Sequence, residues 1–273
     1  MKRCVFFISD RTGITAEMLS HSLLTQFEGV EFVEHSIPFV DSIDKAHQVV
    51  ERINRVARED GCSPILFTTL IQEEIRAIIA DSEGIMFDFF EAFIKPLEEE
   101  LGTHSNHAIG RSHGQGVYTT YKARIDAVNY ALNNDDGAQL RHYPKADLIL
   151  VGVSRSGKTP TCLFIALHYG ILVANYPLTE DDLETTKLPE VLLPYRDKLF
   201  GLTINPERLS QIRAERRPNS QYANLGQCQS EIRKAESMMR VNNIPYLDTS
   251  AVSIEEIATT ILHRTGLKRR LFG

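Results

Sequence analysis

Apolar and polar residues along the first hundred positions alternate with two different periods. Short apolar runs predict strands, and longer segments with apolar residues on one side predict helices. The predicted strands are 4–9, 31–37, 64–68 and the short segment 84–87, and the predicted helices are 15–27, 43–59, 71–82 and 90–101. The first helix would present an apolar side formed by Ile14, Met18, Leu19, Leu23 and Phe27. Strands that alternate with helices predict a mostly parallel sheet covered by helices.

The pattern is interrupted after residue 101 and then resumes. Residues 102–116 are rich in Gly, Ser and His and lack apolar periodicity, which indicates a loop or a connector. A helix is predicted at 118–132, and a second α/β block begins near Lys145. Its predicted strands are 147–151, 172–175, 199–203 and 245–247. Its predicted helices are 161–169 and 253–265, and Gly266 would be the C-cap of the second.

A glycine-rich loop lies between the first strand and helix of the second block. Its sequence, G-V-S-R-S-G-K-T, fits the G-x-x-x-x-G-K-[ST] pattern of a phosphate-binding P-loop. The glycines let backbone N–H groups turn toward an anion, and the helix adds its positive N-terminal end. Lys158 would act as the catalytic cation on the terminal phosphate, and the Thr159 hydroxyl would ligate Mg²⁺. The predicted nucleotide-binding residues are Gly152, Val153, Ser154, Arg155, Ser156, Gly157, Lys158 and Thr159.

These elements predict an α/β fold in three parts. An N-terminal Rossmann-like α/β domain is expected at 1–103, a connector with the Gly/His-rich loop and a helix at 104–144, and a P-loop kinase-like α/β domain at 145–273. Arg155 is not required by the P-loop pattern. It is either a solvated charge or a second contact to phosphate.

Composition narrows the class of protein further. The 273 residues are 42% hydrophobic and 24% charged, which is ordinary for a globular protein. A net charge of −6 argues against a general nucleic-acid binder, and no apolar run is long enough to span a bilayer. The N-terminus has two cations before an apolar run of only five residues, so it is interpreted as a first strand and not as a signal peptide. Four dispersed cysteines favour reduced thiols in a cytoplasmic protein.

A second turn with a glycine lies between the first predicted strand and helix. Backbone N–H groups at Gly13 and the helix start could hold a phosphate, with Arg11 and Thr12 beside them. Asp10 would be available there as a catalytic base. The alternative interpretation is a tight turn in which Asp10 or Thr12 only caps the helix, and spacing alone favours this alternative.

Arginines cluster in a predicted helix at 205–217, directly after a buried strand. P-loop kinases often place arginines in such a segment, where they bind phosphates and offset charge in the transition state. Arg208 and Arg213 are therefore candidate phosphate ligands. A solvated helix with Glu–Arg pairs is the alternative, and Glu207 and Glu215 would support it.

The carboxylate that would accompany a bound metal is not evident in the sequence. No predicted strand ends in an unmistakable metal-binding aspartate. Asp248 is possible but follows a late strand, and Asp181 and Asp182 could instead face the substrate. The assignment is therefore left open at this point.

The histidines of the 102–116 segment suggest a metal site only weakly. His104, His107 and His113 are irregularly spaced and no cysteine is near, so a solvated or phosphate-facing role is favoured. Arg111 and His113 would be good anion ligands if the loop folds over a site, and His113 is a candidate catalytic residue.

Several stretches together resemble one family, the pyruvate, phosphate/water dikinase regulatory proteins, over nearly the whole chain. The form of the P-loop and the Arg111–Gly114 stretch are most similar to the branch that regulates phosphoenolpyruvate synthase. The stretches that carry the resemblance are 8–17, 64–68, 74–79, 152–161, 174–177, 199–209 and 212–213.

The resemblance implies a bifunctional enzyme. It would phosphorylate a threonine of phosphoenolpyruvate synthase with ADP as donor, which inactivates that protein. It would also remove the phosphate by attack of inorganic phosphate, releasing pyrophosphate. The P-loop corresponds to the ADP site, Mg²⁺ is expected with it, and a homodimer is possible.

Other functions and two layouts of the site remain open at the level of sequence. One alternative is a small-molecule P-loop kinase that uses ATP, and another is a non-catalytic protein gated by nucleotide. For the bifunctional enzyme, both reactions could share the P-loop, or the Asp10–Gly13 turn could form a separate phosphate site with the His-rich loop. The presence of two strand–turn–helix anion candidates slightly favours the separate site. Asp10, Asp181 and Asp182 are the candidate bases.

Overall fold

The computed structural model describes residues 2–105, 117–218 and 220–268. The chain divides into two compact units, residues 1–112 and 113–273. Each unit contains its own sheet of four parallel strands, which confirms the α/β class. The division falls inside the predicted connector, and the three-part boundaries stay a prediction.

The N-terminal unit is a parallel sheet with helices on both faces. The strand order is β2-β1-β3-β4, with β1 and β3 central. In chain order the elements are β1 Lys2–Ser9, α1 Ile14–Leu24, β2 Glu31–Ile37, α2 Ile43–Asp60, β3 Ile65–Thr69, α3 Glu73–Ala80, β4 Ile85–Asp88 and α4 Phe89–Leu101. The residues of β1 alternate between two cores: Phe6 and Ile8 pack with α2 and α3, whereas Val5 and Phe7 pack with α1. The central strands β1 and β3 are buried on both faces, as is usual in a parallel sheet covered by helices.

Helix α1 does not bury the side that the sequence predicted. Its buried residues are Ala16, Ser20 and Leu24, whereas Met18 is 68% exposed. The other members of the predicted apolar side, Ile14, Leu19, Leu23 and Phe27, are also exposed. Small side chains let the helix approach the sheet closely, and the Ser20 hydroxyl is satisfied by donating to the Ala16 carbonyl 2.5 Å away.

The C-terminal unit repeats the strand order of the first, as β6-β5-β7-β8. Its elements are α5 Val117–Asn133, β5 Leu148–Gly152, α6 Lys158–Tyr169, β6 Val173–Pro177, β7 Leu199–Thr203, α7 Pro206–Arg216, α8 Leu225–Val241, β8 Tyr246–Asp248 and α9 Ile254–Thr265. Apolar residues of α5, α6 and α9 share one core with β5 and β7, and those of α7 and α8 share the other. Two layers of helices therefore cover the sheet, and β5 lies buried in its centre.

Helix α8 is a 17-residue element that the sequence patterns did not predict. Its residues are mostly polar, but Ile232, Ala235 and Met239 repeat at helical spacing and are buried against the sheet. Asn224 caps its first turn by accepting hydrogen bonds from the N–H groups of Gly226 and Gln227. The predicted closing helix is present as α9, with a capping box between Ser253 and Glu256. Among the described residues, no helix is long and apolar enough to cross a membrane.

Candidate functional site

The G-x-x-x-x-G-K-T segment forms the turn between β5 and the first residue of α6. Only glycine fits at 152, because a Cβ there would lie 2.3 Å from the Leu202 carbonyl oxygen. Gly157 has a φ of 90° immediately before α6, and Arg155 has a φ of 74° inside the turn. Both lie in the left-handed region, which a loop that wraps its N–H groups around an anion requires.

Lys158 is buried at the base of this turn. Its side chain is 4% exposed, and Nζ donates a hydrogen bond to the Val153 carbonyl 2.9 Å away. Burial lowers the pKa of Lys158 to about 8, although the carboxylates of Asp136 and Asp135 favour the charged form. The ammonium group is therefore mostly charged at neutral pH and loses its proton as the pH rises past about 8.

Three side chains from other elements hold the turn in place. The Tyr222 hydroxyl lies 2.8 Å from Ser154 Oγ, and Arg213 donates to the Ser154 carbonyl at 3.1 Å. Thr249, after β8, donates to the Ser156 carbonyl at 3.2 Å. The turn is thus fixed by side-chain contacts that come from distant parts of the sequence.

Arg213 has a different role from the predicted phosphate contact. It is 1% exposed, and its guanidinium group forms an ion pair with Glu231 at 2.7 Å. The same group stacks on the Tyr222 ring, 4.1 Å from its centroid. Because these partners occupy it, Arg213 supports the turn and does not face a ligand.

Two aspartates that the sequence patterns did not single out lie beside the turn. Thr159 Oγ1 donates to the Asp135 carboxylate at 2.8 Å, and Asn175 of β6 also donates to that carboxylate. The Asp136 N–H donates to Asn175 Oδ1 at 3.0 Å, and Asp136 has a φ of 48°. A non-glycine residue in the left-handed region is uncommon and is often found at functional sites.

The sequence contained one indication of this pair. The two carboxylates stand before Gly137 in a polar stretch, shortly after the end of the helix predicted at 118–132. Nothing in the local sequence shows that α5 packs on α6 and so brings its end to Thr159. The position of the pair follows from the packing of Ala127 and Ala131 against α6.

The turn opens into a cavity of about 770 Å³, which is within the usual range for ligand pockets. Lys158, Thr159 and the two aspartates line one part of it. Its other lining residues are Ser154, Arg155, Gly157, Pro160, Ile212, Arg216, Arg217 and Tyr222. The cavity therefore combines cations, carboxylates and a backbone turn suited to anions.

The donors at Thr159 and Asp135 suit a hard cation such as Mg²⁺. Magnesium is usually held by one or two carboxylates together with substrate phosphates and water. In the described part of the chain, no group of three or more His, Cys, Asp or Glu side chains could hold a metal by itself. The arrangement thus fits a metal that arrives with a nucleotide, and the predicted ligand Thr159 stays a prediction.

The predicted phosphate turn of the N-terminal unit has a different character. Asp10 is 5% exposed, one of its carboxylate oxygens has no hydrogen-bond partner, and burial raises its pKa. Gly13, with a φ of 79°, precedes α1 without any side-chain cap. Arg11 and Thr12 are exposed. A desolvated carboxyl group next to the turn makes it a poorer place for an anion than the P-loop cavity.

The remaining candidates lie in several places. Arg208 is exposed in the first turn of α7, and the described residues that line the cavity do not include it. Asp182 accepts hydrogen bonds from Thr179 in a turn, and Asp248 does the same for the Ser250 N–H. The predicted residues Arg111 and His113, with His107, lie outside the described residues.

Comparison with known proteins identifies the class to which this fold and site belong. The sequence matches the family described as Kinase/pyrophosphorylase over residues 5–262, so the chain belongs to that family. Its similar relatives carry the name "Putative phosphoenolpyruvate synthase regulatory protein". One from Ectopseudomonas mendocina is 54% identical over 271 residues, covering 99% of this chain and all of the relative. Others, from Alkalilimnicola ehrlichii and Pseudomonas aeruginosa PAO1, are 55% and 54% identical, each covering 99% of this chain and 98% of the relative.

Proposed function

We propose that this protein is a bifunctional protein kinase and phosphorylase that regulates phosphoenolpyruvate synthase. It transfers phosphate from ADP to a threonine of that enzyme and removes it with inorganic phosphate. The observation that carries the proposal is the cavity at Gly152–Thr159, where a buried lysine and a pair of aspartates lie beside a P-loop turn. The family and the names of full-length relatives support the same activity.

The kinase reaction requires mainly positioning and neutralisation of charge. The threonine oxygen forms a bond to the β-phosphorus of ADP, the bond from that phosphorus to the bridging oxygen breaks, and AMP leaves with the electron pair. Lys158 and the turn amides hold the transferred phosphoryl group, where negative charge must be stabilised. The hydroxyl proton is released to a base.

In this proposal the two aspartates have separate roles, one in metal binding and one in proton transfer. Asp135, hydrogen-bonded to Thr159, would hold Mg²⁺ together with that hydroxyl group, and the metal would supply positive charge to neutralise the phosphates. Asp136 is exposed in the cavity and accepts the hydroxyl proton. Asp10 belongs to the other unit, and burial raises the pKa of its carboxyl group.

Location and assembly are further parts of the proposal. All four cysteines are free and three are buried, which is consistent with a reducing compartment, and we place the protein in the cytoplasm. The protein partner is phosphoenolpyruvate synthase, without nucleic acid or membrane. A homodimer stays a prediction.

A labelling experiment tests the proposed function. The protein is incubated with ADP labelled at the β-phosphate, with and without phosphoenolpyruvate synthase, in the presence of Mg²⁺. We expect label on a threonine of the synthase, loss of synthase activity, and release of the label as pyrophosphate after phosphate is added. Turnover of a small molecule without the synthase would indicate a metabolite kinase, and binding of ADP without transfer would indicate a non-catalytic protein.

A further inference from the structure

Asn175, the middle residue of β6, is fully buried and contacts both aspartates of the cavity. Its side-chain Oδ1 accepts a hydrogen bond from the Asp136 N–H at 3.0 Å, and its Nδ2 donates to Oδ1 of the Asp135 carboxylate. A backbone N–H can only donate and an ionised carboxylate can only accept, so these partners fix the orientation of the amide. One side chain therefore holds both aspartates.

The backbone of Asn175 is tied to the same corner of the chain. Its N–H donates to the Asn134 carbonyl at 3.3 Å, and its carbonyl accepts from the Tyr143 hydroxyl at 2.8 Å. Asn134 and Tyr143 are also fully buried. The segment that follows α5 is thus anchored to β6, and the amide of Asn175 has a fixed starting point.

The hydrogen bonds of Asp135 distinguish its two carboxylate oxygens. Thr159 and Asn175 both donate to Oδ1, and among the described residues none donates to Oδ2. Since Asp135 lines the cavity, Oδ2 is the oxygen that a ligand there can reach. The hydroxyl group of Thr159 can rotate and is itself a candidate metal ligand, whereas the buried amide has no such freedom. The amide is therefore the contact that determines how the carboxylate is presented.

We propose that Asn175 is a positioning residue for phosphoryl transfer. Its amide orients the Asp135 carboxylate for Mg²⁺ and holds the Asp136 backbone at its φ of 48°. The inference rests on the proposed function, which assigns metal binding to one aspartate and proton transfer to the other. Only an amide offers a donor and an acceptor on one short planar group. An aspartate at this position would lack the donor and repel Asp135, and a leucine would lack both groups.

Two substitutions of similar size separate the two contacts of the amide. Asn175→Asp keeps an acceptor for the Asp136 N–H and loses the donor to Asp135, and Asn175→Leu loses both. In Asn175→Asp we expect the Mg²⁺ concentration that half-maximally tightens binding of a fluorescent ADP analogue to rise at least about tenfold, as is usual when a partner of a metal ligand is lost. The Kd of the analogue without Mg²⁺ should change by no more than about twofold, because the turn and Lys158 remain.

Asn242→Asp is a matched control from the same unit. Asn242 follows α8, and its Nδ2 donates to the carbonyls of Thr186 and Met238 at 2.9 and 2.8 Å. The control therefore also removes the donor of an asparagine that holds a corner, and Asn242 is not among the described residues that line the cavity. Its Mg²⁺ response should equal that of the unchanged protein. Thermal unfolding first shows that each variant is folded.

The rate of phosphoryl transfer gives a second readout. At saturating Mg²⁺, Asn175→Asp should recover a rate within about threefold of the unchanged protein, because Asp136 is still held. Asn175→Leu should remain at least about tenfold slower at any Mg²⁺ concentration, because Asp136 has also lost its contact. If the leucine variant does not fold, the binding measurement on Asn175→Asp decides the question by itself.

The binding readout needs no phosphoryl transfer, so it tests Asn175 even if the labelling experiment overturns the proposed function. The positioning role would be rejected if Asn175→Asp and Asn242→Asp had the same Mg²⁺ response, or if Mg²⁺ did not affect binding of the analogue to the unchanged protein. An equal loss of ADP affinity with and without Mg²⁺ would indicate a merely structural asparagine. Equal rates of the aspartate and leucine variants at saturating Mg²⁺ would reject the role toward Asp136.

Discussion

Two turns occupy the same position in two sheets of the same strand order, yet only one has the side chains of a phosphate site. Both follow the first strand of their unit, and both lead into a helix from a glycine with positive φ and without a side-chain cap. The residues after the glycine are Ile14 and Thr15 in one unit and Lys158 and Thr159 in the other. Backbone geometry at a helix N-terminus is thus similar in both, and the lysine is the first difference.

The second difference lies in the surroundings of the two turns. Thr159 donates to Asp135, and Lys158 shares its cavity with Asp136 and with three exposed arginines, Arg155, Arg216 and Arg217. At the N-terminal turn Asp10 is buried, and one of its carboxylate oxygens has no hydrogen-bond partner among the described residues. A strand–turn–helix unit therefore offers an anion site, but side chains from other elements decide whether that site can catalyse a reaction.

The largest expected effect distinguishes the two turns directly. Lys158→Ala should lower both ADP-dependent inactivation and phosphate-dependent reactivation of the synthase by about 10³-fold, because the only buried cation of the turn is lost. Arg11→Ala, which removes the cation of the N-terminal turn, should change neither rate by more than about twofold. Both rates are measured with purified synthase, after thermal unfolding has shown that the variants are folded. Retention of either activity in Lys158→Ala would contradict a shared site.

The next effect separates the roles of the aspartates. Asp136→Asn should lower the rate of phosphoryl transfer at saturating ADP about a hundredfold, because the base is lost while ADP still binds. Asp135→Asn should instead raise the Mg²⁺ concentration needed for half-maximal rate. Initial rates across a Mg²⁺ titration measure both effects. If Asp10→Asn abolished transfer and Asp136→Asn did not, the base would belong to the N-terminal unit.

The titration of Lys158 gives a moderate effect. Its pKa of about 8 means that the protonated form, which binds phosphate, is lost as the pH rises above that value. ADP affinity should be constant below about pH 8 and then weaken about tenfold per pH unit. Fluorescence titration between about pH 6.5 and 9.5 measures this. Lys158→Ala should bind weakly without this dependence, and an identical profile in that variant would assign the titration to another group.

The smallest effect concerns the stability of the N-terminal turn. Burial raises the pKa of Asp10 in the folded protein, so the folded state binds its proton more readily than the unfolded state does. The free energy of unfolding should therefore receive a favourable contribution from Asp10 as the pH falls through the raised pKa toward the ordinary value. Asp10→Asn should lack that contribution and differ by no more than about 1 kcal/mol near neutral pH. Urea unfolding of both proteins across this range would refute the assignment if the two pH profiles coincided.

The sequence by itself determined the features that depend on neighbouring residues. Alternating apolar runs and amphipathic segments predicted the parallel α/β units, and the G-x-x-x-x-G-K-T pattern located the turn between β5 and α6. Each of these signals is local, since strand burial, a tight turn and a helix start are all specified within a few residues. The capping box of α9 is another local signal of this kind.

Only the tertiary structure decided which side chains meet at the site. Asp135 reaches Thr159 because α5 packs on α6. Arg213 does not line the cavity, because it forms an ion pair with Glu231 of the unpredicted helix α8. The exposed apolar side of α1 likewise depends on how closely Ala16 lets the helix approach its sheet. Helical periodicity identifies an apolar side, but the depth of packing and the pairing of charges arise between residues far apart in the chain.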